Sequence, residues 1–155
     1  MDNKKLISFS KTIEILLKVG FVLSILILMG LYFITRLLRI HFDLFIIMIY
    51  PCGLLFTYMI YEFICLFKSL NNGNPFCKEN VKILKNNMII SILIGVLVIV
   101  SLLIACFMFK YYSLQLKFAL GFISLLFFIA AIAFYVLSEL FNQATKYKEE
   151  NDLTI

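Results

Sequence analysis

Four stretches of this chain, at 19–35, 44–61, 86–109 and 118–138, contain no charged side chain. Each is built mainly from Ile, Leu, Val and Phe. A helix needs about 20 such residues to cross roughly 30 Å of hydrocarbon. The first two runs are short by that measure, but each lengthens if one charge near its end is tolerated. Lys18 can snorkel, and Glu62 is followed by an apolar stretch at 63–67. The pattern predicts four spans, at about 12–35, 44–67, 86–109 and 118–141. The period-two alternation of a membrane barrel is absent, and lipid offers the backbone no hydrogen-bond partner, so the spans are helices.

Composition closes off the soluble alternatives. Apolar residues make up 63% of 155, with a mean hydropathy of +1.03, against about 45–50% apolar in soluble domains. A soluble fold of this size could not hide so much Ile, Leu and Phe from water. The reading is an all-α membrane protein forming one unit over residues 1–155, with the lipid bilayer as its first partner.

The basic residues orient it. Lys4, Lys5, Lys11, Lys18, Lys68, Lys78, Lys82, Lys85, Lys146 and Lys148 fall on one side of the four spans, ten in all. Arg36, Arg39, Lys110 and Lys117 fall on the other. Lys and Arg collect on the cytoplasmic side, so both termini are expected in the cytoplasm (N-in, C-in), with the protein multi-pass in the plasma membrane. A cleaved signal peptide is the rival for the first span. Its apolar stretch is too long for an ordinary signal core, and no small-x-small cleavage pattern precedes Arg36.

The loop after the second span has its own logic. Asn71-Asn72-Gly73-Asn74 should end that helix, with Gly73 in the left-handed conformation. Asn74 reads as the next N-cap and Pro75 as the first helical residue, where its missing N–H costs nothing. Lys78, Lys82 and Lys85, spaced four and three apart, would lie near anionic headgroups.

An internal likeness adds a second level of organisation. An offset of 67 aligns Phe9, Lys11, Lys18 and Ser24 with Phe76, Lys78, Lys85 and Ser91; an offset of 77 aligns Tyr58 and Glu62 with Tyr135 and Glu139. The four helices would then be two tandem hairpins in a 2+2 parallel repeat, although apolar helices resemble one another cheaply. The alignment gathers Glu14, Lys18, Glu62, Lys85 and Glu139 near one end of the spans. Ionisable groups at membrane depth are costly and face the bundle interior or water, so these five are the candidate polar layer. It serves either to fix helix register and depth or as a proton-, ion- or ligand-responsive switch.

Three further marks are structural before they are functional. Pro51, about two turns into the second helix, removes a backbone hydrogen bond and should kink it. Gly20-xxx-Ser24 and Ser91-xxx-Gly95 are small-residue pairs that let helices approach closely, within the chain or in a homodimer. Tyr111 and Tyr112 fit an interfacial belt. Cys52, Cys65, Cys77 and Cys106 share no metal-ligand or CxxC spacing, and His41 falls among Arg36, Arg39 and Asp43 in a short outer turn. No nucleotide, zinc-protease or serine-hydrolase motif occurs. No enzyme activity, cofactor or direct nucleic-acid binding is expected.

The pattern Asn74-Pro75-Phe76-x-x-Glu79-Asn80-x-x-x-Leu84, with Ser138-Glu139-Leu140-Phe141 and the tail Lys148-Glu149-Glu150-Asn151-Asp152-Leu153-Thr154-Ile155, resembles the YoaS-like family. These are small bacterial four-span membrane proteins of unknown function (DUF2975-type). The resemblance covers essentially the whole chain and supplies no catalytic residue. It implies a neighbouring Cro/CI-type helix-turn-helix regulator as partner, with the protein acting on it from the membrane. The second expectation, of a different class, is a small transporter or a resistance or immunity protein working as a homo-oligomer.

Overall fold

The computed structural model describes residues 3–37, 44–107 and 113–152. Four helices account for all of these but 72–77 and 113: α1 (Asn3–Leu37), α2 (Leu44–Asn71), α3 (Lys78–Phe107) and α4 (Leu114–Asp152). All four are long and apolar enough to cross a membrane, and no strand occurs among the described residues. The turn around Arg39, His41 and Asp43, the pair Tyr111 and Tyr112, the side chain of Arg36 and residues 153–155 lie outside the described set.

Contacts between neighbours fix an up-down-up-down order. Glu14 meets Asn71 while Ser24 meets Thr57, so α1 and α2 are antiparallel. Met59 meets Ser91 while Ser69 meets Asn80, which does the same for α2 and α3. Gly95 faces Phe128, and Lys78 pairs with Glu149, for α3 and α4. The start of α1, the end of α4 and the 72–77 loop therefore share one end of the bundle, called here the loop end.

Packing is serial. Among the described residues backbones approach closely only between α1 and α2, α2 and α3, and α3 and α4. α2 and α4 meet through side chains, with the rings of Phe63 and Phe134 at 5.4 Å and those of Phe56 and Phe127 at 6.4 Å. The apolar core is Met59, Ile90, Ile94 and Val98, so α3 is the central helix. α1 is peripheral, and none of its described side chains is buried.

Between apolar helices in lipid there is little hydrophobic drive, so close approach of small residues and interhelical hydrogen bonds hold the bundle. Two glycines supply that approach. A Cβ on Gly53 would overlap Leu28 of α1, and one on Gly95 would lie 3.2 Å from the Phe128 ring of α4. The expected pair Ser91 and Gly95 does face neighbouring helices. Gly20 does not, since a Cβ there would meet nothing. Gly53 on the facing helix provides the clearance at this contact, and Ser24 contributes a hydrogen bond with Thr57 at 3.1 Å.

α2 runs through Pro51 as one helix, with Pro51 exposed. In the half of the bundle away from the loop end, residues on all four helices, Leu28, Met48, Cys52, Ile94 and Phe127 among them, line a cleft of about 380 Å³. Its hydroxyls do not make it polar, because Ser24, Thr57 and Ser101 each hydrogen-bond a carbonyl of their own helix.

Candidate functional site

The loop end is built from three local devices. α2 stops in a Schellman motif, in which the Asn74 N–H reaches the Ser69 carbonyl at 3.3 Å and the Gly73 N–H reaches the Leu70 carbonyl at 3.1 Å. Gly73 has φ +79°, as the turn requires. The chain then stays out of helix for four residues. The Asn80 amide donates to the Pro75 carbonyl at 2.7 Å and to Ser69 Oγ at 3.1 Å, reaching back from α3 to hold the loop. Finally the loop is tied to α4: Lys148 Nζ donates to Asn74 Oδ1 at 2.9 Å, Lys78 pairs with Glu149 at 2.9 Å, and the Phe76 and Phe141 rings lie 5.6 Å apart.

This arrangement corrects the expected cap. α3 begins at Lys78, and the carbonyl of Cys77 accepts the N–H groups of Asn80 and Val81. Cys77 is thus the N-cap, and neither Asn74 nor Pro75 takes the role assigned to it. The Pro75 carbonyl is claimed by the Asn80 side chain, which holds the turn outside the helix.

Deeper in the bundle lies a set of buried polar side chains. Glu62 on α2 is 6% exposed. Its Oε1 accepts from Tyr58 at 3.0 Å and from Asn86 of α3 at 2.9 Å, while its Oε2 is buried with no protein partner. Asn80, Asn87 and Ser91, on one face of α3, have no exposed surface. Ser91 donates to Met59 Sδ at 3.7 Å, whereas neither polar atom of the Asn87 amide has a protein partner. Ser138 of α4 is fully buried and bonds the Tyr135 carbonyl. Toward the loop end, Glu14 accepts from Lys18 at 2.6 Å and from Asn71 at 2.5 Å.

The family whose profile matches residues 8–155 is described as a protein of unknown function, DUF2975. The chain belongs to this family. No curated protein and no solved structure matches it. DUF2975 membership names no enzymatic activity, so the site must be read from its own chemistry.

The five candidate residues of this DUF2975 chain do not form one layer. Glu14 and Lys18 pair on α1 and reach α2 through Asn71. Glu62 sits nine residues along α2 from Asn71, about 13 Å away along the axis, with Tyr58 and Asn86. Lys85 and Glu139 are exposed, so the 77-residue offset pairs a buried carboxylate with an exposed one. Asn71, Asn80 and Asn86, which join the helices here, and the buried Asn87 were not among the candidates. Their signal is the Asn86-Asn87 pair at the mouth of a 24-residue uncharged run, since carboxamides in such a setting bond across helices. Among the described residues no three His, Cys, Asp or Glu come together as metal ligands.

Proposed function

We propose that this chain is a non-enzymatic regulatory protein of the bacterial plasma membrane. Its loop end faces the cytoplasm and acts with a small helix-turn-helix transcription regulator. The observation behind the reading is the length of α4. Its 39 residues extend about 58 Å, nearly twice the hydrocarbon thickness. The apolar run ends at Ser138, so residues 139–152 continue beyond it as helix. The contacts of Phe141, Lys148 and Glu149 with the 72–78 segment give that extension a fixed seat. Its acidic residues, with Glu149 and Glu150 both exposed, complement the basic surface that a DNA-binding protein carries.

The transport reading rests on the four-helix cleft. It is weaker, because that cleft is lined mainly by apolar side chains and its Ser24, Thr57 and Ser101 hydroxyls are engaged by carbonyls of their own helices, which gives a charged substrate little to bind.

The test is co-purification from native membranes of the full chain and of a chain ending at Glu149, which keeps the contacts to the loop. Recovery of a helix-turn-helix protein with the full chain alone supports the reading. Its absence from both preparations removes the proposed partner.

A further inference from the structure

We propose that Glu62, with Asn87 level beside it on α3, forms a binding site for one monovalent inorganic cation. The register is set by Met59 with Ser91, Glu62 with Asn86, and Ser69 with Asn80, and it places Asn87 at the height of Glu62. Two buried oxygens, Glu62 Oε2 and Asn87 Oδ1, have no hydrogen-bond partner. Both are acceptors that no donor among the described side chains satisfies, so a further body is needed.

The chemistry of the surroundings selects what that body is. Nearer the loop end, Asn71 Oδ1 and Asn80 Oδ1 are also buried without partners, while among the described residues of this half the buried unpartnered groups that can donate are Asn87 Nδ2 and the Ser10 hydroxyl. Acceptors thus outnumber donors, which calls for positive charge. A buried carboxylate without compensation is costly, and more so at membrane depth. The cationic side chains nearby do not supply it: Lys82 and Lys85 of α3 are exposed, and Lys18 is paired with Glu14. The groups already on Glu62, Tyr58 and Asn86, are neutral donors and occupy Oε1. Carboxylate and carboxamide oxygens are hard ligands that suit hard cations. One carboxylate balances one positive charge, whereas a divalent ion would leave an excess charge against the apolar core. Asn80 and Asn87, seven residues apart on one face of α3, place further oxygens at steps of about 10 Å toward the loop end, the side from which the ion enters.

The inference does not depend on the partner reading, because it is tested on the purified protein alone. Thermal unfolding in lipid nanodiscs is followed in NaCl, in KCl and in choline chloride at equal ionic strength. Sodium or potassium is expected to raise the midpoint over choline along a one-site saturation curve, by on the order of 5 °C at a hundredfold excess over Kd. Glu62→Gln is expected to lose the cation-specific rise, and Asn87→Ala to move the curve to higher concentration. Identical midpoints in all three salts for the unmodified chain would mean that water or a proton satisfies these oxygens, and would overturn the proposal. So would a rise retained in full by a folded Glu62→Gln protein.

Discussion

Lys148, near the end of α4, donates to the side chain of Asn74 in the loop that leads into α3, across 74 residues of sequence and at 2.9 Å. With the Lys78–Glu149 pair it gives the loop end a double tie. Both residues of that pair are well exposed, at 80% and 50% for their side chains, and such pairs contribute only about 0.2–1 kcal/mol. Lys78→Glu is therefore expected to leave overall stability nearly unchanged while speeding amide exchange in residues 142–152. Combining it with Glu149→Lys should restore the exchange rates. Equal rates in all three proteins would show that the ion pair does not hold the extension.

Glu62 offers a graded test of buried polar bonding. Asn86→Leu removes the interhelical donor and leaves Oε1 to Tyr58 alone, at an expected cost of about 1–2 kcal/mol. Tyr58→Phe should cost less, because Asn86 remains. The double substitution should exceed the sum of the two, since it leaves Oε1 with no donor at all. Denaturant titration followed by circular dichroism reads all three, and strict additivity would contradict the shared-acceptor geometry.

The glycines should separate sharply. Gly95→Leu must push α3 from α4 at Phe128 and is expected to cost about 1–3 kcal/mol, the range for overpacking. Gly20→Leu, with open space around it, should stay within about 0.5 kcal/mol of the parent. Thermal unfolding in detergent distinguishes them. A reversed order would mean that the open face of α1 is an interface in the assembled protein.

At Gly73, the φ of +79° makes any Cβ unfavourable. Gly73→Val is expected to cost about 1–2 kcal/mol, and Gly73→Asn distinctly less, because asparagine tolerates this region. The measurement is the unfolding midpoint of each variant, and equal midpoints would exclude a strained turn.

The four spans were readable because absence of charge over some 20 residues has no other economical explanation. Their ends were less so. The Asn74-Pro75 pair carries the ordinary signature of a helix start, and only the side chain of Asn80, reaching back to the Pro75 carbonyl, delays α3 to Lys78. Local sequence does not encode that reach. The polar site was half legible. Glu62 stood out as a charge between apolar segments, but Glu139 stood out equally, and burial alone separates them. The asparagines that complete the site have no charge to draw the eye, and their role follows from the register of α2 on α3.

The peripheral place of α1 bears on how the protein is made. Of the four helices α1 leaves the ribosome first, yet among the described residues its backbone packs closely on α2 alone and it contributes nothing buried to the apolar core, which becomes complete only when α3 and α4 have arrived. The earliest of the four helices to enter the membrane is therefore a guest on a three-helix unit formed after it. During synthesis it must be held by the insertion machinery and by lipid rather than by its own fold.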